Sequence, residues 1–166
     1  MNKIGIIMGS DSDLPIAEKA IEKLAEYGIN YEVHVYSAHR TPEETIRFAK
    51  EARQNGFDAL IGIAGKAAHL AGVIAANTTL PVIGVPVNSS LEGMDALLST
   101  VQMPPGIPVA TVGIDGAANA AILAAEILAV SDEKLAQLLL KKRIEVKEAV
   151  LEKNHRIEEK WNGGTK

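Results

Sequence analysis

The sequence predicts an α/β domain in which five parallel strands lie between two layers of helices. Short apolar segments alternate along the chain with amphipathic segments of helical periodicity. The connections are long enough to carry a helix back across a sheet, which makes successive strands parallel. The length of 166 residues suits one compact domain. These observations together favour a three-layer α/β/α architecture.

The first half of the chain predicts three strands, each followed by a helix. Strands are expected at residues 3–8, 30–36 and 59–64, and the helices are expected to end near residues 27, 55 and 77. Thr41 and Glu44 have capping-box spacing around Pro42, which predicts the start of the second helix. The second strand alternates in polarity, which favours a place at the sheet edge.

The second half predicts two more strands, at residues 81–87 and 109–114, and helices at 94–102 and 117–130. Ser131 is predicted to cap a last amphipathic helix that ends at Trp161, and residues 163–166 are expected to fray. Residues 1–130 would then form the α/β core, and residues 131–166 a helical extension of the same domain. The apolar face of this extension needs a partner, either the domain's own surface or another subunit, and we favour another subunit.

This alternation is typical of flavodoxin-like and Rossmann-like folds, for which we expect strand order 2-1-3-4-5. In that order the first and third strands flank the switch point, where ligands bind at the carboxyl ends of the strands. The loops at residues 9–13, 37–42 and 65–70 are therefore predicted to converge on one crevice. A receiver domain would share this fold. However, residues 63–66 carry no phosphoacceptor carboxylate at the end of the third strand.

Composition narrows the classes of function. The formal net charge of −4 offers no basic field for nucleic acid, and the lack of Cys excludes disulfides, thiolate nucleophiles and Cys-ligated metals. No apolar run approaches the roughly 20 residues of a membrane span, and residues 1–8 turn polar too soon for a signal peptide. We expect a cytoplasmic protein without nucleic-acid or membrane partners.

The first two loops carry residues that suit an anionic ligand. Ser10, Ser12 and Asp13 begin a helix, where hydroxyl and N–H groups can bind phosphate and a carboxylate can bind ribose, although plain helix capping is equally compatible. His39 can move a proton near neutral pH, and the neighbouring Arg40 can neutralise a phosphate. Ser37 can add a hydrogen bond to the same anion.

The third loop contributes His69, which in isolation would more often be a buried histidine, but its place on a convergent loop favours a functional role. Lys66 lies beside the expected site, and the sequence does not determine its direction. His34 and His155 are expected to be structural or solvated. The four histidines show no metal-ligand spacing, so we expect no metal site.

Six segments in the same order and spacing resemble the class I N5-carboxyaminoimidazole ribonucleotide mutases of purine biosynthesis. These enzymes are the catalytic subunit of phosphoribosylaminoimidazole carboxylase. The resemblance covers roughly residues 3–150. The segments are residues 8–13 (MGSDSD), 37–42 (SAHRTP), 64–70 (AGKAAHL), 84–87 (GVPV), 101–109 (VQMPPGIPV) and 117–121 (AANAA).

The resemblance implies a homo-octamer that moves a carboxylate from N5 of a ribonucleotide to ring carbon C4, through aminoimidazole ribonucleotide and CO2. It implies no metal, ATP or biotin. His39 would be the general acid/base, with His69 as its catalytic neighbour. The remaining roles would be phosphate binding by Ser10, Ser12, Ser37 and Arg40, ribose binding by Asp13, and a base and CO2 pocket lined by Ala64, Gly65, His69 and Leu70.

Two positions depart from the family pattern, which has Gly in place of Lys66 and Pro in place of Ala71. A positive φ at the first position would strain Lys66. The related class II enzymes carboxylate aminoimidazole ribonucleotide directly with CO2, and Arg40 and His69 favour class I over them. Class II remains an alternative, as does a non-catalytic nucleotide-binding module on the same crevice.

Overall fold

The computed structural model describes residues 2–162 and contains the predicted parallel sheet. Its strand order is β2-β1-β3-β4-β5, with the second strand at one edge. The strand bounds are Lys3–Met8 (β1), Asn30–Val35 (β2), Ala59–Gly65 (β3), Val82–Val87 (β4) and Ala110–Thr111 (β5). The fold class and the strand order expected from the sequence are therefore confirmed.

Six α-helices accompany the strands in the described part of the chain. Short 3-10 turns at Asp11–Asp13 and Leu91–Gly93 precede the first and fourth of them. The helix bounds are Leu14–Glu26 (α1), Pro42–Glu51 (α2), Leu70–Ala75 (α3), Met94–Val101 (α4), Ala117–Ala129 (α5) and Glu133–Trp161 (α6). Among residues 2–162, no helix combines the length and apolarity needed to cross a membrane.

The sheet separates two apolar clusters, because successive side chains of a strand point to opposite faces. Ile4 and Ile6 pack with Ala120 and Ala124 of α5 on one face. Ile7 packs on the other face against α2 and α3. Burying each isoleucine contributes roughly 1.5–3 kcal/mol. The two clusters hold the sheet rigid, so the loops at its carboxyl edge have fixed starting points.

Strand register brings three of those loops together. Met8 at the end of β1 pairs with Val35 of β2 on one side and with Ile63 of β3 on the other. The segments that follow these strands therefore leave the sheet at nearly the same level. This alignment positions the candidate site.

Several local predictions are wrong or inexact. The fifth strand has two residues instead of six, because Pro86 of β4 has no N–H to donate to it and the next bond to β4 after Val112 comes only from Asp115, whose φ is +57°. The cap of α6 is Asp132 rather than Ser131: its carboxylate accepts the N–H of Leu135 over 3.1 Å. Helices α2 and α3 end at Glu51 and Ala75, earlier than expected. The expected fraying of residues 163–166 lies outside the described residues.

Replacing Gly84 in β4 with Ala is expected to lower the free energy of unfolding by about 2 kcal/mol through overpacking. A Cβ atom there would overlap the methyl group of Thr100 and lie 3.0 Å from Cγ1 of Val109. Thr100 is buried and its hydroxyl donates to the carbonyl of Ala96 over 2.7 Å, so it cannot turn away. Chemical denaturation measures the change.

Gly113→Ala is the matched control, because a Cβ there would meet nothing within 4 Å. It is expected to change the free energy of unfolding by less than about 0.5 kcal/mol. Equal effects of the two substitutions would contradict the packing argument.

Candidate active site

A cavity of about 560 Å³ lies at the carboxyl ends of β1, β2 and β3. The three loops predicted to converge form its walls. Its lining includes every residue that the sequence proposed for the site: Ser10, Ser12, Asp13, Ser37, His39, Arg40, Ala64, Gly65, His69 and Leu70. A larger cavity of about 860 Å³, lined by Lys50, Arg53 and residues 75–82, contains none of them.

Two histidines from different loops contact each other in the smaller cavity. Nε2 of His39 lies 2.8 Å from Nδ1 of His69, and the two rings are nearly perpendicular. One of these nitrogens must donate and the other accept, so a single proton lies between the rings. Either ring can be the donor, because each neutral imidazole carries one N–H and one bare ring nitrogen. The geometry therefore suits a group that accepts one proton and returns it.

Loop 37–41 holds Arg40 in place through Ser37. The hydroxyl oxygen of Ser37 accepts the backbone N–H groups of His39 and Arg40, at 3.3 and 3.2 Å. The guanidinium of Arg40 donates to the carbonyl of Gly9 over 2.7 Å, which joins this loop to the one after β1. Because the Ser37 oxygen already accepts hydrogen bonds, its own hydrogen can donate to an anion in the cavity.

The predicted capping box at Thr41 is wrong. Thr41 precedes α2, but its side chain makes no capping hydrogen bond to the helix. Its hydroxyl oxygen instead accepts the N–H of Ser37 over 2.8 Å and its hydrogen points to the carbonyl of Ser37 at 3.2 Å. Thr41 thus closes the loop that presents His39 and Arg40, because its side chain reaches back across four residues.

The first loop is a 3-10 turn in which Ser10 accepts hydrogen bonds from the backbone N–H and the hydroxyl of Ser12, at 3.4 and 3.0 Å. Asp13 is buried at the end of this turn. Burial raises the pKa of Asp13, while the backbone N–H of Ser10 and the charge of Arg40 oppose the rise. A buried carboxyl beside a cation can accept hydrogen bonds from the hydroxyl groups of a ligand.

The third loop has an unusual backbone. Lys66 has a φ of +56°, the left-handed region that the sequence marked as a source of strain. Its N–H donates to the hydroxyl of Ser89 over 3.1 Å, and the N–H of Ala68 donates to Ser99 over 3.0 Å. Ser89 also lines the cavity. Sequence reasoning missed it, although it follows β4 at the same edge of the sheet as the other loops.

Among residues 2–162, no three His, Asp or Glu side chains come together as metal ligands. His34 lies outside the cavity and stacks on Tyr36 at the edge strand. His155 lies 3.2 Å from Glu159 on α6. Neither takes part in the candidate site.

Comparison with known proteins identifies the family. A family model described as AIR carboxylase matches residues 3–149. The chain belongs to the AIR carboxylase family. This match confirms the resemblance found in the six sequence segments.

Two members of this family with high similarity come from Methanocaldococcus jannaschii and Thermotoga maritima, and both are named N5-carboxyaminoimidazole ribonucleotide mutase. The first is 56% identical over 156 residues, which are 94% of this chain and 98% of that protein. The second is 51% identical over 160 residues, or 96% and 94% of the two chains. A crystal structure of Treponema denticola PurE has a TM-score of 0.83 at 30% identity and covers 94% of this chain and 98% of its own.

The buried carboxyl of this AIR carboxylase family member leads to a stability prediction. Replacing Asp13 with Asn is expected to raise the melting temperature of the nucleotide-free protein at pH 7. Because burial raises the pKa of Asp13 above its ordinary 3.8, the folded state favours the protonated carboxyl. The stability it contributes is full below pH 3.8 and is lost as pH rises through the raised pKa. Asn cannot ionise, so its advantage is largest at neutral pH and vanishes in acid.

Thermal unfolding of both proteins between pH 3.5 and 7 measures the difference in melting temperature. Its change with pH is expected to follow the titration of one group. Glu18→Gln, which changes an exposed carboxyl on the following helix α1, is the control and is expected to leave the melting temperature unchanged. A lower melting temperature of Asp13→Asn at pH 7 would contradict the assigned cause of the pKa shift.

Proposed function

We propose that this protein is a class I mutase of de novo purine biosynthesis, which converts N5-carboxyaminoimidazole ribonucleotide to 4-carboxy-5-aminoimidazole ribonucleotide. The observation that carries the proposal is the 2.8 Å contact between His39 and His69 inside the cavity. Relatives that are 51% and 56% identical over almost the whole chain bear the mutase name. Arg40 and His69 also favour this reaction over direct carboxylation by a class II enzyme.

The loops after β1 and β2 would bind the ribose phosphate. The phosphate would accept hydrogen bonds from Ser10, Ser12 and Ser37, and the guanidinium of Arg40 would supply the opposing charge. Asp13 would accept hydrogen bonds from the ribose hydroxyls. This arrangement leaves the imidazole ring of the nucleotide to extend toward β3 and the histidine pair.

The chemistry requires one proton to move twice. His39 would protonate N5 as the bond between N5 and the carboxylate carbon breaks, which releases CO2 and leaves aminoimidazole ribonucleotide. Carbon C4 then attacks CO2, and its proton returns to His39, so the cycle ends with the enzyme unchanged. His69 would orient the His39 ring through the shared proton.

Residues without polar side chains line the other side of the cavity. Ala64, Gly65 and Leu70 offer no side-chain hydrogen-bond donor or acceptor to the space beside His69. Apolar walls of this kind would hold CO2 next to C4 and slow its escape. We propose no metal, ATP or biotin for this reaction.

Nuclear magnetic resonance with substrate that carries 13C in the carboxylate tests the proposal. The label is expected to appear on C4. If the wild-type protein moves no label to C4, the mutase proposal is wrong, and binding without turnover would support a non-catalytic nucleotide-binding module. A parallel assay with aminoimidazole ribonucleotide and labelled bicarbonate tests the class II alternative, for which direct incorporation would be the faster reaction.

We also propose that the molecule is a cytoplasmic homo-octamer, in which residues 1–130 form the α/β core of each subunit and residues 131–166 extend it into subunit contacts. Helix α6 packs on α5 only through its first turns, where Leu135 and Leu139 are buried. Its later apolar side chains are exposed, as a contact with another subunit would require. These side chains are Leu140, Ile144, Val146, Val150, Leu151, Ile157 and Trp161.

Native mass spectrometry is expected to give a particle of eight chains. Replacing Val150 with Glu in the middle of the exposed face should shift the population to smaller particles, since a buried unpaired charge destabilises an interface. Lys153→Glu, which reverses a charge one turn further along the same helix, is the control for the effect of a changed charge alone. A monomeric wild-type protein would contradict the proposal.

A further inference from the structure

Lys66 occupies a position that the protein has shaped around it. Its φ of +56° is costly for a residue with a Cβ atom, and such strain persists only where neighbouring structure holds it. Here the hydroxyl of Ser89 accepts the Lys66 N–H, and a Cβ atom on Gly65 would collide with that hydroxyl. Glycine before Lys66 and serine opposite it therefore keep Lys66 at the wall of the cavity.

Three charged side chains line the cavity, namely Asp13, Arg40 and Lys66. Arg40 is engaged with the carbonyl of Gly9 at the serine-rich end. Lys66 belongs to the loop after β3, together with Gly65 and His69. Because β2 and β3 lie on opposite sides of β1, Arg40 and Lys66 reach the cavity from loops on its two sides.

The ammonium group of Lys66 makes no hydrogen bond or ion pair among residues 2–162. The carboxyl of Asp95 is already engaged by the Ser90 hydroxyl and by the Ala96 N–H at 2.8 Å. Its pKa is lowered mainly by Ser90 and only to a smaller extent by Lys66. Lys66 can thus turn its charge to a ligand without breaking an existing pair.

We infer that Lys66 binds the carboxylate that the enzyme moves, whereas Arg40 binds the phosphate. This inference rests on the proposed function, whose substrate and product each carry both anions. The two cations would match the two anions on the two sides of the cavity. Lys66 would be a substrate-binding residue, in direct contact with the group that leaves N5 and arrives at C4.

This role has a consequence for the intermediate. The carboxylate is charged in substrate and product, whereas CO2 is neutral. An ammonium group that binds the carboxylate stabilises both end states relative to aminoimidazole ribonucleotide and CO2. Lys66 would therefore favour recapture of CO2 over its loss, and its removal would release more aminoimidazole ribonucleotide per turnover.

Binding of two nucleotides that differ only in the carboxylate tests the inference. Dissociation constants for 4-carboxy-5-aminoimidazole ribonucleotide and for aminoimidazole ribonucleotide are measured by calorimetry with wild type, Lys66→Gln and Lys66→Arg. Lys66→Gln is expected to weaken binding of the carboxylated nucleotide about 10-fold and that of the other less than about 2-fold. Lys66→Arg keeps the charge and is expected to retain the preference for the carboxylated nucleotide.

Lys66→Gly separates charge from backbone strain, since glycine accepts the positive φ. It is expected to lose the preference as Lys66→Gln does. The inference fails if Lys66→Gln weakens both nucleotides equally, if it weakens neither, or if Lys66→Gly keeps the wild-type preference. Label migration in the wild type checks the proposed function separately, so a mutase that shows no effect of Lys66→Gln would overturn only this inference.

Discussion

Replacing His39 with Asn is expected to lower kcat about 1,000-fold, which is within the range for loss of a general acid/base. In the proposed reaction the same group would protonate N5 and later accept the C4 proton, so both halves of the reaction would lose their proton carrier. Asn has a similar size and can still hydrogen bond to Nδ1 of His69, 2.8 Å from the present Nε2 of His39. The dissociation constant of the nucleotide is therefore expected to change less than about 3-fold, because the phosphate contacts remain.

Label transfer followed by nuclear magnetic resonance measures the rate, and calorimetry measures the binding. His34→Asn is the matched control, because His34 packs against Tyr36 and Phe48 outside the cavity. It is expected to keep wild-type turnover. A His39→Asn protein that retained a tenth or more of the wild-type rate would show that another group moves the proton, since its barrier would have risen by no more than roughly 1.4 kcal/mol.

Replacing Arg40 with Met is expected to lower kcat/KM about 100-fold, mostly through a higher KM, as expected for loss of a charged hydrogen bond. The phosphate would lose the opposing charge, and the carbonyl of Gly9 would lose a donor that now lies 2.7 Å away. Arg40→Lys is expected to have a kcat/KM between those of the wild type and Arg40→Met, because an ammonium keeps the charge but cannot reproduce the planar fork of a guanidinium. Steady-state kinetics at two salt concentrations measures the effect.

Arg47→Met provides the control for Arg40→Met. Arg47 is an exposed arginine on α2, a short distance along the chain from the candidate site, and is not part of the cavity lining. It is expected to leave both kinetic constants unchanged. A fall in kcat with an unchanged KM in Arg40→Met would contradict a phosphate-binding role and indicate a role in the chemical step.

Much of the fold follows from local pattern, because a strand or helix buried on one side must repeat its apolar residues at its own period. The alternation of strands and helices, the parallel sheet and the edge position of residues 30–35 were all predictable on this ground. The ends of elements were less predictable. The fifth strand and the caps at Thr41 and Ser131 depend on which of several nearby donors and acceptors is reached, and the sequence order does not settle that competition.

The candidate site also has features that the sequence predicts and features that it does not. By itself, the sequence determined which loops meet and which residue types they bring, because parallel strands place their carboxyl ends at one edge of the sheet. The tertiary structure alone decided the direct contact of His39 with His69, the burial of Asp13 and the hold of Ser89 on Lys66. The two contacts join segments 30 and 23 residues apart in the chain through side chains. Their distances depend on how the helices and loops pack on the sheet, which no local pattern specifies.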